Sequence, residues 1–304
     1  PGVRCVQRAV PIGRVGLYIP GGNAPLFSTV LMLALPARIA GCGEIILCTP
    51  AGRDGRIAPE ILYAAGLCGI ERIFAVGGAQ AVAAMAYGTE SIPHVDKIFG
   101  PGNRYVTKAK QLVGATDVAV DLPAGPSEVM VLADRSARPE FVAADLLSQA
   151  EHGDDSQAIL VCRTEEFARK VTQAVEEQAR RLNRCEAIRN SLSNSRIVVF
   201  NEEYKQVAFA NAYAPEHLII AMREPWNVAA QITAAGSVFI GNYSPESAGD
   251  YASGTNHTLP TSGWARAYSG VNVDSFLRKI TYQELTREGL ETLAPTVTAM
   301  AEAE

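Results

Sequence analysis

This sequence predicts an α/β fold made of two Rossmann-like lobes with mainly parallel sheets, plus a C-terminal helical arm. Three observations carry that expectation. Short β-branched runs alternate with longer amphipathic stretches, the runs are apolar throughout, and a turn-forming cluster at residues 122–126 (LPAGP) separates two similar series of them. A strand that is apolar on both faces needs cover on both faces, which is the condition of a parallel sheet flanked by helices. At 304 residues the chain exceeds one ordinary core, so two domains are expected.

Taken in order, the strand-like runs are VGLYI (15–19), EIILC (44–48), RIFAV (72–76), KIF (97–99), VMVLA (129–133), AILVC (158–162), RIVVF (196–200), HLIIA (217–221) and SVFIG (237–241). Helical periodicity lies between them at 24–40, 59–68, 79–87, 103–113, 139–150, 165–182, 206–213 and 226–234. The stretch 24–40 is the most apolar, yet Pro25, Pro36 and Arg38 interrupt it, so it reads as a buried helix and not a membrane span. In 165–182, Glu176 and Glu177 precede Arg180 and Arg181 by one turn, the mark of a solvated face. Beyond about residue 270 the pattern turns helical, with Phe276, Leu277, Ile280, Leu285 and Leu290 as contacts. The expected division is a first lobe at 1–126, a second at 127–270 and an arm at 271–304.

Composition narrows the function classes. Hydrophobic residues make up 48% and charged residues 19%, which excludes a disordered chain. The net charge of −5 leaves no electrostatic footprint for nucleic acid or an anionic membrane surface, so neither is an expected partner. Six cysteines (Cys5, Cys42, Cys48, Cys68, Cys162, Cys185) form no CxxC pair and favour reduced, packed thiols in a cytosol-like compartment. The sequence opens at Pro1 without a signal-peptide pattern, and the natural N-terminus is expected to lie upstream.

Histidine is scarce and unevenly placed. Of four, two directly follow a glutamate (Glu151-His152 and Glu216-His217), and His257 closes the run SPESAGDYASGTNHTLPT, which also holds Glu246 and Asp250. His94, between Pro93 and Val95, reads as a solvated loop residue. Histidine titrates near neutrality and is the commonest metal ligand, so its concentration beside carboxylates points to acid/base or metal chemistry, hence to an enzyme. Gln149 and His152 are three apart, on one face at the end of a helix, and Asp250 is the natural anionic partner. One imidazole, one amide oxygen and one carboxylate suit Zn, Mn or Co. A helix C-cap at His152-Gly153 with a turn-capping Asp explains the same spacing, which does not decide between them. Glycine clusters at 21–23, 77–80 and 100–103 permit close backbone approach to a pyrophosphate, but none is GxGxxG and each serves equally as a tight βα turn.

The runs at 13–42, VGGAQA (76–81), KIFGPGN (97–103), DLPAGPSE (121–128), LLSQAEHG (146–153), PEHL (215–218) and SPESAGDYASGTNHTLPT (244–261) together resemble the histidinol dehydrogenase family, in order and over nearly the whole chain. The resemblance implies oxidation of L-histidinol through histidinaldehyde to L-histidine with two NAD+ reduced in turn, one Zn2+ per site, and a homodimer whose C-terminal arm reaches the partner's site. It implies Gln149, His152 and Asp250 as zinc ligands. Ser127, Gln149, His152, His217, Glu246, Asp250, His257 and Glu304 would face the substrate, and Tyr18, Gln80 and Asn103 the NAD. Glu216 and His217 take the acid/base roles. A cytoplasmic home is expected, with a plastid left open. The family carries a further zinc-ligating histidine a few residues beyond the position of Glu304, and a segment before Pro1; their absence leads us to expect a truncated chain. Two rival classes are a metal hydrolase using the same ligands without nucleotide, and a non-catalytic small-molecule or nucleotide-binding protein.

Overall fold

The computed structural model describes residues 2–21, 25–123, 125–151, 153–182 and 185–304, the side chains of 185–187 apart. His152, Gly22 and Asn23 lie outside the described residues. The strands are β1 (Val3–Pro11), β2 (Arg14–Tyr18), β3 (Glu44–Thr49), β4 (Arg72–Ala75), β5 (Lys97–Phe99), β6 (Ala119–Val120), β7 (Glu128–Ala133), β8 (Gln157–Cys162), β9 (Arg196–Val199), β10 (His217–Ala221), β11 (Ser237–Ile240) and β12 (Leu277–Leu285). The helices are α1 (Phe27–Ala40), α2 (Pro59–Leu67), α3 (Gly78–Tyr87), α4 (Arg104–Gly114), α5 (Pro139–Ala150), α6 (Glu165–Ala179), α7 (Cys185–Asn194), α8 (Glu203–Tyr213), α9 (Pro225–Ala229), α10 (Glu246–Tyr251) and α11 (Arg287–Ala303).

Two five-stranded sheets carry the fold, with strand orders β4-β3-β2-β5-β6 and β11-β10-β7-β8-β9. Every pairing within them is parallel. Counted within its own half, each sheet reads 3-2-1-4-5, so one doubly wound topology occurs twice. The apolar strands are buried on both faces, as their composition requires: Val15, Leu17 and Ile19 join one core cluster while Tyr18, Ile46 and Cys48 join another across the sheet. In the second sheet Val129 and Val131 point to one core, Met130 and Leu132 to the other. Local signals set the helix starts: Pro139 opens α5 at its first turn, and the side chains of Asn103 and Thr164 cap α4 and α6.

The C-terminal region corrects the sequence reading. Val271 and Phe276 are buried in the core of the first lobe, where the Phe276 ring stacks on Phe99 with centroids 4.0 Å apart. Leu277–Leu285 is strand, paired antiparallel with β1; a single 3-10 turn at Val273–Phe276 precedes it and an α-helix at Arg287–Ala303 follows. Ile280, Thr281 and Tyr282 favour strand, and a partner from the far end of the chain completes the ladder. That ribbon is largely exposed, so it shows little apolar alternation. Residues 3–11 pair with β12 in a two-stranded sheet of their own, apart from the first sheet. Helices α7 and α10 also went unpredicted, the first being polar and the second only six residues long.

Candidate active site

The carboxyl ends of β2, β5 and β6 in the first sheet face the amino ends of β7 and β10 in the second, across a cavity of about 320 Å³. The first lobe thus contributes its topological switch point, between β2 and β5, where doubly wound sheets bind ligands. The second lobe contributes the opposite ends of its strands. Asn256 ties the halves together by donating from Nδ2 to the Met32 carbonyl at 2.7 Å. Across the seam, the Gly125 N–H donates to Thr261 Oγ1.

Ser127, Gln149, Glu216, His217, Glu246, Asp250 and His257 all line this cavity. Gln149 reaches it from the last turn of α5, His217 is the first residue of β10, and Glu246 and Asp250 sit one turn apart on α10. Gly249 lets α10 approach β11: a Cβ there would lie 2.6 Å from the Phe239 ring. Glu304 is exposed at the end of α11 and does not line the cavity. Tyr18 is buried beside the ends of the first sheet, its hydroxyl accepting the Gly78 N–H at 3.0 Å, while Gln80 and Asn103 are exposed nearby. The Asn103 side-chain oxygen is occupied by the N–H groups of Tyr105 and Val106. A second space of about 420 Å³ at the ends of β2 and β3 shares Pro20 with the first; its lining includes Thr49, whose buried hydroxyl has no partner among the described residues.

The electrostatics of the cavity are those of crowded carboxylates. Glu216 Oε2 accepts the Glu128 N–H at 2.8 Å and stands 3.7 Å from His217 Nδ1, and Glu246 Oε1 stands 3.6 Å from the same nitrogen. Burial raises Glu216 well above the ordinary carboxyl range, with Glu246, Glu128 and Asp250 adding repulsion. Burial, reinforced by Asp250 and Asp145, pushes Glu246 up to about 8. His217 Nδ1 lies 3.2 Å from the Glu128 carbonyl oxygen, which assigns the proton to Nδ1 and the basic lone pair to Nε2. Asp250 Oδ1 is 3.7 Å from His257 Nδ1.

Such a site suits a cation. Ligand atoms of His217, Glu246 and Asp250 come within 4.8 Å of one another. Gln149 is fully buried, and both its amide atoms lack a partner among the described residues. A buried amide left so is costly unless a ligand completes it. Asp250 belongs to both this grouping and the set read from the sequence. Sequence reasoning missed Glu128, Lys110 and Asp121. Glu128 Oε1 accepts the Ser262 N–H at 2.9 Å, and Lys110 pairs with Asp121 on the first-lobe wall. Asp121 and Glu128 bracket the turn cluster DLPAGPSE, which was the available signal; Lys110 had none.

A family model described as histidinol dehydrogenase matches residues 1–304. The chain belongs to the histidinol dehydrogenase family. The histidinol dehydrogenase of Bacteroides fragilis is 62% identical over 300 residues, covering 99% of this chain and 70% of that protein. The crystal structure of histidinol dehydrogenase from Elizabethkingia anophelis superposes with a TM-score of 0.98 at 57% identity, over 99% of this chain and 70% of that one. An NAD-dependent aldehyde dehydrogenase from Sinorhizobium meliloti shares the fold alone, with a TM-score of 0.60 at 14% identity over 92% of this chain and 68% of that one. This histidinol dehydrogenase family member is therefore an oxidoreductase with an aldehyde dehydrogenase-like architecture. No described helix is long and apolar enough to cross a membrane.

Proposed function

We propose that this chain oxidises L-histidinol through histidinaldehyde to L-histidine, reducing two NAD+, as the last step of histidine biosynthesis. The observation that carries the reading is the convergence of Gln149, Glu216, His217, Glu246 and Asp250, all buried, on one cavity between the two lobes. We assign zinc to Gln149, His152 and Asp250, the donor set being hard to borderline and the unpartnered Gln149 amide fitting a ligand's place. Bound there, the ion would supply orientation, fixing the carbinol carbon of histidinol. The adjoining spaces that share Pro20 at the first-lobe strand ends suit an extended dinucleotide, to which we assign Tyr18, Gln80 and Asn103, residues near those strand ends but outside the lining of either space.

In the first oxidation His217 Nε2 takes the hydroxyl proton as the carbinol carbon loses hydride to NAD+. The aldehyde lacks a second transferable hydride until water adds. Glu216, raised by burial and 3.7 Å from His217, orients and deprotonates that water while the protonated His217 returns its proton to the aldehyde oxygen, which leaves His217 neutral for the second oxidation; Glu216 then releases its proton to solvent. The resulting gem-diol gives its proton to His217 again and its hydride to the second NAD+, leaving the carboxylic acid. Ser127, Glu246 and His257 line the same space and contact the substrate in this reading.

We extend the reading to a homodimer in which the arm carries Glu304 to the partner's site. α11 exposes Leu290, Val297 and Met300, apolar surface suited to a subunit contact. A cytoplasmic home is consistent with five cysteines that are free. The test is NADH appearance when L-histidinol, NAD+ and Zn2+ are added to the chain. A stoichiometry of two NADH per histidinol consumed is expected; hydrolysis without NADH formation would favour a metal hydrolase instead.

A further inference from the structure

The wall of the cavity opposite His217 contains a buried ion pair that the proposed chemistry does not use. Lys110 projects from α4 and Asp121 follows β6, their side chains 9% and 3% exposed. Between them they hold both polar groups of one peptide residue. Asp121 Oδ2 accepts the Gly100 N–H at 2.7 Å, and Lys110 Nζ donates to the Gly100 carbonyl at 2.8 Å while pairing with Asp121 Oδ1. Gly100 has φ +125, and a Cβ there would lie 2.0 Å from the Tyr18 carbonyl oxygen. No other residue fits.

Two burdens meet at this point: a backbone conformation open essentially to glycine alone, and two charges withdrawn from water. A buried pair is weak support for stability, because an apolar pair of the same volume often serves as well. What the pair does supply is a fixed position. Residues 100–103 form the turn that leads from β5 to the Asn103 cap of α4, and Gly100, Pro101 and Gly102 line the cavity. Through Gly100 the clamp abuts Tyr18, whose hydroxyl receives the N–H of Gly78 at the second glycine turn. The two turns beside the strand ends are thereby held in one register.

We infer that the Lys110–Asp121 pair is a positioning device that locks the 100–103 turn, and through Tyr18 the turn at Gly78, in the conformation that accepts the dinucleotide. This rests on the reading that NAD lies along the first-lobe strand ends. Neither side chain needs to touch the reacting atoms. The pair acts by raising the fraction of the chain that is competent to bind NAD+, which sets the apparent affinity.

The test compares the parent chain with Lys110→Met, Asp121→Asn and the double variant Lys110→Met/Asp121→Leu, which removes both charges at similar volume. NAD+ binding is measured by calorimetry on the zinc-loaded chain, alongside KM for NAD+, KM for L-histidinol and zinc content. Dropping the competent fraction to roughly a tenth raises Kd and KM for NAD+ about tenfold, with KM for L-histidinol within about twofold and zinc unchanged. The double variant, which removes both members of the pair and leaves Lys97 Nζ on the Ser275 carbonyl at 3.0 Å, is expected to melt near the parent and still bind NAD+ weakly. A folded variant that binds NAD+ as tightly as the parent overturns the inference alone. A parent that binds no NAD+ overturns the dinucleotide reading and this inference together. Failure of all three variants to fold makes the pair a purely structural element and overturns it as well.

Discussion

Glu246 and Asp250 stand one helical turn apart on α10, both buried and both facing the cavity that holds His217. Like charges at this spacing repel even on an exposed helix. Here both are buried, and Glu216 adds a third carboxyl within the same field. Such a cluster is tolerable in two ways, by protonation or by a bound cation. The arrangement is therefore poised for metal, and its stability without one must depend on pH.

The direction of that dependence follows from Glu246 and Asp145, which burial pushes from 4.5 up to about 8 and from 3.8 up to about 7. Below the ordinary carboxyl range both the folded and the unfolded chain are protonated, and nothing is lost. As pH rises towards the raised folded values, the unfolded chain ionises first and gains free energy relative to the folded one. The metal-free chain is expected to lose stability steadily between about pH 5 and pH 8, by up to about 1.4 kcal/mol per unit for each group. Zinc should abolish most of the slope by favouring the ionised forms. Calorimetric melting with and without chelator checks this, and a metal-free midpoint that climbs with pH would contradict it.

Replacing His217 by asparagine separates base catalysis from binding. Asparagine keeps an Nδ2 donor for the Glu128 carbonyl, 3.2 Å from Nδ1 in the parent, but offers no proton acceptor near neutrality. Loss of a general base costs about 10²- to 10⁴-fold in turnover. Zinc content is expected to match the parent, since the assigned ligands are untouched. Turnover close to the parent's would remove His217 from the base role.

Gln149 offers a sharper separation. Its amide is wholly buried and unpartnered among the described residues, so the metal-free fold carries the cost of desolvating it. Gln149→Met keeps the length and removes the polar atoms. The metal-free variant is expected to be more stable by about 1–3 kcal/mol, the cost of a buried unsatisfied group. The same variant should bind zinc more weakly than the parent. Denaturant unfolding in chelator and metal titration give the two readouts; unchanged zinc affinity would take Gln149 out of the ligand set.

Much of this was legible in the sequence because burial on both faces leaves an unbroken apolar record. All nine strands read from such runs occur within one residue of the expected bounds. The grouping of His217, His257, Glu246 and Asp250 was legible for a different reason: the residue types are scarce, so their bunching stood out. Lys110 and Asp121 were not legible, since a lysine on a polar helix face gives no hint that the tertiary fold will bury it against a carboxylate. Nor was β12, whose ladder is completed by β1 from the other end of the chain and whose side chains mostly face water. Periodicity reports burial, and where a strand is exposed it has little to report.

Phe276 tests where the arm truly begins. The apolar residues after 270 suggested a peripheral helix, whereas Phe276 is fully buried, stacks on Phe99 of β5 and gives its carbonyl to the Ile12 N–H at 3.0 Å. A residue in that position belongs to the core of the first lobe, and truncating it leaves a cavity that the neighbouring rings fill only in part. Phe276→Ala is expected to cost about 3–5 kcal/mol. Leu290 on α11 is 53% exposed, and Leu290→Ala should change the stability of the monomer by no more than about 0.5 kcal/mol. Urea unfolding of the two variants at low protein concentration makes the comparison. Equal, small losses would return residues 271–276 to the arm, whereas the expected disparity means that the β1–β12 ribbon springs directly from the first-lobe core and carries α11 outward from it.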